Sequence, residues 1–394
     1  MNKQIKNLID KIHAQGAFLS FELTPPLSAD TSEFIAKIKN ALSQTTQNQN
    51  LDSKNAIKSS ADFGVKNIAD SSVAGQNLHC KSTAHQRLDS QKMPRATLGE
   101  AIDAFVCTDS PLARFKPSSI LSSIKLQNAL DKPLICTLSM RDRNSIALCG
   151  EILAANEFGL RAFLTLTGDP IKLGDCAESK GVFEENSLKL GHIIAELNAG
   201  VAINGKPLIT RPSEIFAFST INSYANNPAS LKTKLKRKLL NSQICAFFTQ
   251  PIFAKQSAEF LLEALEGAKC EIINDSNQWC KRASSQHLTQ ESSQNLTQER
   301  TQTIANANQN TQIIFGFFPV LSYRVAIFLR DKLPGVYIPQ MWLEKLESAS
   351  AKSKDYEREV GLELSRKVWE DLQALHPKIH FMSSNNIALL GEFV

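Results

Sequence analysis

Residues 133–170 read PLICTLSMRDRNSIALCGEILAANEFGLRAFLTLTGDP. The apolar run 133–139 has strand length and stops at the charged cluster Arg141-Asp142-Arg143. Asn144 then stands as an N-cap before a stretch in which Ile146, Leu148, Ile152 and Leu153 recur near helical spacing. A second strand-length run, 162–167, follows Gly159 and stops at Gly168-Asp169-Pro170. Strand, helix and strand, with polar residues at the C-terminal end of each strand, is the repeating unit of a parallel sheet.

The same alternation extends in both directions. Strands are expected at 17–23, 104–107, 133–139, 162–167, 214–219, 246–249, 313–318 and 378–383, with amphipathic stretches such as 32–42, 144–158 and 187–198 between them. Eight strands with intervening helices point to a (β/α)8 TIM barrel. A doubly wound sheet is the alternative, because periodicity alone does not reveal closure.

Of the 394 residues, 42% are hydrophobic and 21% charged, which excludes wholesale disorder, a collagen repeat and a multispan membrane protein. The net charge of +5 is small and dispersed, so no nucleic-acid partner is expected. No window reaches the roughly 18 apolar residues of a membrane helix, and residues 1–25 lack a signal-peptide layout, so a cytoplasmic protein without membrane contact is expected. The eight cysteines include no C-x-x-C pair and read as reduced thiols. Residues 44–95 and 274–311 are rich in Gln, Asn, Ser, Thr and Lys and poor in large apolar residues, so both read as disordered surface insertions. Setting them aside leaves roughly 300 residues, the size of one barrel with a few extra helices, and 1–394 is expected to be a single catalytic domain.

Candidate functional residues gather at strand ends, which in a barrel converge on one mouth. Glu22 lies inside the apolar run Phe18-Leu19-Ser20-Phe21-Glu22-Leu23, where a carboxylate must be paired or functional. A structural acid paired to a neighbouring strand is the competing reading. Thr108 and Asp109, Arg141 and Asp142, Gly168 and Asp169, Gln250, and Ser322 and Tyr323 follow other strands. Each alone reads equally well as a turn or a strand stop; their coincidence is the signal. No His-Glu-x-x-His array or zinc spacing occurs, so no metal is expected. A P-loop, a nucleophile elbow and a Gly-x-Gly-x-x-Gly loop are absent as well. The basic run Lys232, Lys234, Lys236, Arg237 and Lys238 is a solvated helix face or a phosphate contact.

In order along the chain, the segments 20–26 (SFELTPP), 141–144 (RDRN), 166–170 (LTGDP), 248–253 (FTQPIF), 316–323 (GFFPVLSY), 334–339 (PGVYIP) and 379–382 (IHFM) resemble the methylenetetrahydrofolate reductase family. The resemblance spans nearly the whole chain outside the insertions. It implies a (β/α)8 barrel with FAD that takes a hydride from NADH or NADPH and passes it to 5,10-methylenetetrahydrofolate, giving 5-methyltetrahydrofolate by a ping-pong route. Folate and nicotinamide substrates are the implied partners. Glu22 matches the family's acid, whose apolar neighbours Phe18 and Phe21 are expected to keep it protonated. Asp169 matches the aspartate beside flavin and folate. Gln250 would meet the pterin amide edge, Tyr323 would stack on substrate, and Thr108 and Lys238 are implied FAD contacts. Thr137 stands where many members have histidine, Ala254 replaces an aspartate, and the spacing from the basic helix to Gln250 is one residue longer. The loop after Asp169 matches only loosely, at Gly181-Val182-Phe183. Nothing resembling the animal-type regulatory domain follows, so control by S-adenosylmethionine is not expected. A flavin-binding paralogue or partner subunit of the same fold without reductase activity is the alternative, and a non-enzymatic basic binding protein a distant third. The sequence leaves self-association and the choice of nicotinamide open.

Overall fold

The computed structural model describes residues 2–44, 97–222, 224, 227–241, 243–285, 309–333 and 335–394. Its strands are β1 (Phe18–Leu23), β2 (Ala104–Cys107), β3 (Leu134–Ser139), β4 (Ala162–Leu166), β5 (Phe216–Ile221), β6 (Ile244–Pro251), β7 (Gln312–Phe317) and β8 (Lys378–Phe381). Each pairs in parallel with the next, and β8 pairs with β1, closing an eight-stranded barrel. The architecture is the (β/α)8 barrel expected from the sequence, and closure removes the doubly wound alternative.

Side-chain alternation divides the strands' residues between two layers. Phe18, Ala104, Val106, Ile135, Ala162, Leu164, Phe218, Ala246, Phe248 and Ile314 fill the barrel interior, together with Ile5, Leu8, Ile9 and Ile12 of the helix Asn2–His13. That helix plugs the N-terminal end. The intervening residues, among them Phe21, Phe105, Cys107, Phe163, Phe247 and Phe315, face the outer helices. Continuing the inward parity to the C-terminal ends brings Glu22, Thr108 and Thr220 onto the interior wall at the mouth.

Helix Ser145–Glu157 begins where the sequence predicts, with the Asn144 side chain accepting from the Ala147 N–H at 2.9 Å. Its buried face differs from the expected one. Leu148, Cys149, Ile152 and Ala155 are buried, whereas Ile146 is 74% exposed. The second expected insertion also needs correction: residues 274–285 continue the long helix Lys255–Ser285, and Thr311 is buried with its hydroxyl donating to the Ile244 carbonyl. The rest of that segment, 286–308, lies outside the described residues. So does 45–96, the bulk of the first insertion; at its borders the Leu98 N–H donates to the Gln44 carbonyl at 2.9 Å, so the chain leaves and returns at one point. Cys107, Cys136, Cys149, Cys176, Cys245 and Cys270 are free thiols. No helix of the described residues is long and apolar enough to cross a membrane.

Candidate active site

Closure of β8 onto β1 sets Ser20 opposite His380. The Ser20 hydroxyl lies 3.0 Å from His380 Nδ1, and His380 Nε2 lies 3.8 Å from a carboxylate oxygen of Glu22. Ser20 and His380 are buried, while the Glu22 side chain keeps 28% of its surface open to the mouth. The His380 and Phe248 rings pack nearly perpendicular, with centroids 5.2 Å apart. A chain of three side chains thus runs from the barrel interior to an accessible carboxyl. The expected apolar wall around Glu22 is not present: Phe21 faces the outer layer and Phe18 sits lower in the barrel, so the carboxyl's neighbour is an imidazole. The end of β1 is held from the loop after β8, where Asn385, at φ +71°, accepts from the Thr24 N–H at 2.8 Å and donates to the Thr24 carbonyl at 2.9 Å. Asparagine tolerates that left-handed backbone better than most residues.

Thr108 is buried beside this site, its hydroxyl donating to that of Thr24 at 3.1 Å. Asp109, the next residue, is structural. It accepts from the Ser139 N–H and hydroxyl and forms a 2.9 Å ion pair with Arg143, so its buried charge is fully compensated. Arg141 pairs with Asp142 at 2.6 Å and donates to the Ser110 carbonyl. Asp169 follows β4 through Gly168, whose φ of +99° and close approach to Arg141 exclude a side chain. One Asp169 oxygen accepts from the Leu112 N–H at 2.7 Å, which ties the turn after β2 to the turn after β4.

On the other side of the mouth, the β6–β7 register shifts between Phe248 and Pro251. Gly316 makes this irregularity fit, since a Cβ there would stand 2.4 Å from the Thr249 carbonyl oxygen. Gln250 lies under Gly335: a Cβ on that residue would come within 2.7 Å of Gln250 Oε1 and 2.6 Å of the Asn222 amide. Beside them, Thr220, Asn222, Tyr224, Asn227, Lys234 and Lys238 line a cavity of about 410 Å³. Lys238 is half-buried in its lining, donating to the Ser219 hydroxyl at 2.9 Å and to the Thr220 carbonyl. Burial, aided by Lys234, lowers its ammonium pKa to about 8. Lys232 and Lys236, from the same basic run, pair with Glu271 on the outer surface. Tyr323 opens the helix Tyr323–Lys332 with its N–H donating to the Glu357 carboxylate at 2.7 Å, and burial and the nearby Glu347 carboxylate raise its phenol pKa.

The mouth therefore brings Glu22 and Thr108 together on adjacent strands, with Asp169 and Gln250 at the ends of β4 and β6. Lys238 sits in a side cavity. Tyr323 stands at the start of the helix after β7, its N–H held by Glu357. Sequence reasoning gave no role to Ser20, His380 or Asn385. Their only signal was the spacing Ser20-x-Glu22 and a polar residue inside the last strand, and neither has meaning until the first and last strands are joined.

No protein-family model matches the chain, and no curated protein does. Among solved structures, an uncharacterized protein from Clostridium thermocellum that binds two copies of 5-methyl-5,6,7,8-tetrahydrofolic acid is 10% identical, over 99% of this chain and 96% of its own, with a TM-score of 0.47. EDTA monooxygenase (EmoA) from Chelativorans sp. BNC1 is 10% identical over 75% of this chain and 82% of its own, with a TM-score of 0.40. DmoA from Hyphomicrobium sulfonivorans is 8% identical over 74% and 77%, also with a TM-score of 0.40.

Proposed function

We propose that this mouth reduces 5,10-methylenetetrahydrofolate to 5-methyltetrahydrofolate, with NADH or NADPH as electron source and FAD as carrier. The observation that carries the reading is the chain Ser20–His380–Glu22, which ends on an accessible carboxyl. The substrate holds its one-carbon unit in a ring between N5 and N10 and needs one proton to release it. Protonation of N10 breaks the C–N10 bond and leaves an N5-iminium cation; addition of a hydride to the methylene carbon then gives the N5-methyl product. Glu22 is the proton donor in this scheme, and His380 supplies the proton in turn. The imidazole 3.8 Å away can pair with the carboxylate left when that proton is given up. Ser20 fixes the ring by its bond to Nδ1.

The residues present fit a flavin dinucleotide. Lys234 and Lys238 give the side cavity the positive charge that a diphosphate requires, and Asn227 caps the helix Pro228–Asn241 that opens there. Bound FAD would supply hydride transfer, accepting from the nicotinamide and delivering to the one-carbon unit. Asp169 would favour the iminium cation by its charge. Gln250 offers both a donor and an acceptor to an amide edge, and Thr108 offers a hydroxyl to the flavin. A single mouth serving both substrates predicts ping-pong kinetics.

The experiment separates the half-reactions. The purified protein should be yellow, bleach anaerobically with NADH or NADPH and recolour with methylenetetrahydrofolate. Glu22→Gln should leave flavin reduction within a factor of about two and slow reoxidation by folate by about 10²–10⁴-fold, as expected for loss of a general acid. Equal losses in both half-reactions would make Glu22 a structural acid and remove the proposal's main support.

A further inference from the structure

The segment 335–338 crosses the ends of β5 and β6. Gly335, at φ +79°, has the left-handed backbone that favours glycine, and it passes close over the Asn222 and Gln250 amides. Val336 and Ile338 are buried at 9% and 3% exposure, yet Tyr337 between them is 53% exposed. Two buried neighbours thus hold an aromatic side chain outward, two residues on from the glycine that meets Gln250. Its ring centroid lies 5.3 Å from that of Tyr224, at 53° between planes. Tyr224 is itself held by its hydroxyl, which accepts from the Phe253 N–H at 3.4 Å, and it also lines the cavity that contains Lys234 and Lys238.

The family resemblance assigns a stacking contact to Tyr323, whose N–H caps onto the Glu357 carboxylate at the start of its helix. Resting on the reading of the mouth as a folate site, we propose that Tyr337, backed by Tyr224, is its stacking residue and takes a planar ring of the folate. An aromatic face packed on Tyr224, in a segment that also crosses two amides and adjoins a cationic cavity, suits a ligand that combines a flat amide-bearing ring with an anionic tail. Folate has both. A nicotinamide nucleotide shares these features, so the test has an arm for each.

The test uses flavin-loaded protein carrying Tyr337→Ala or Tyr337→Phe. Binding of 5-methyltetrahydrofolate is titrated by the perturbation of the flavin spectrum, and flavin reduction is followed against NADH concentration. Tyr337→Ala should raise the folate Kd about 3–10-fold, while Tyr337→Phe restores binding to within about twofold because the ring is kept. Flavin content and thermal midpoint should not move, since the side chain is half exposed. An unchanged folate Kd in Tyr337→Ala overturns the inference. So does a loss confined to the NADH arm, which would assign the ring to the nicotinamide. If the wild-type protein binds folate and flavin normally, only the inference has failed; if it binds neither, the reading of the site has failed and this inference with it.

Discussion

The two ends of the barrel bury polar side chains in contrasting ways. At the N-terminal end Lys378 donates to the Ala14 and Gly16 carbonyls, His376 Nε2 lies 3.0 Å from the Ile313 carbonyl, and His13 Nε2 lies 3.2 Å from that of Cys245. Each contact is to backbone, so each fixes the chain around the plugging helix. At the mouth His380 meets the side chains of Ser20 and Glu22, and the last of these is open. Backbone carbonyls hold a proton donor in one state; a hydroxyl and a carboxylate permit two. Buried polarity alone therefore does not mark a functional site. The nature of the partner does.

The largest expected effect that could break this contrast comes from His380→Asn. It should slow the folate half-reaction about 10–100-fold by interrupting proton supply to Glu22, while the fall in stability stays near 1 kcal/mol. Lys378→Met should do the opposite. It leaves the Ala14 and Gly16 carbonyls without their donor, at a cost of about 2–3 kcal/mol, with unchanged turnover per folded molecule. Urea unfolding and stopped-flow traces on both variants decide the matter. A catalytic defect in Lys378→Met, or a purely structural one in His380→Asn, would erase the distinction between the two ends.

The same contrast explains what could be read from the sequence. All eight strands were legible because each is a short apolar run ended by polar residues. β5 runs two residues later than the pattern suggests, at Phe216–Ile221. Closure was not legible, and with it went the pairing of Ser20 and His380, residues 360 positions apart. Glu22 stood out because a carboxyl in an apolar strand is anomalous by itself; its neighbours could not, since serine and histidine in a strand end are ordinary. The basic run was ambiguous for the same reason. Lys232 and Lys236 turn outward to Glu271 and Lys238 turns inward, and only the helix's orientation separates them. Tyr337 drew no role from the sequence, because its exposure depends on Val336 and Ile338 being buried on either side of it.

The smallest effect sharpens the contrast through pH. Burial, reinforced by the nearby Lys378 ammonium, lowers the His376 pKa from its ordinary 6.5 to about 4, against the opposing pull of the Ile313 carbonyl. The group is a base whose folded-state pKa lies below its unfolded value. Above pH 6.5 it is neutral in both states and contributes no pH dependence. Between pH 6.5 and 4 the unfolded chain binds the proton and the folded chain does not, so stability falls as pH falls through that window. Allowing for partial solvent screening, the loss amounts to about 1 kcal/mol. His376→Gln keeps an N–H donor for the carbonyl but cannot titrate there. The difference in unfolding free energy between wild type and variant, measured by urea at intervals from pH 7 to 4, should therefore drift in favour of the variant as acid is added. A difference that stays flat would mean that water reaches this histidine, and that the N-terminal end is less tightly closed than its carbonyl bonds imply.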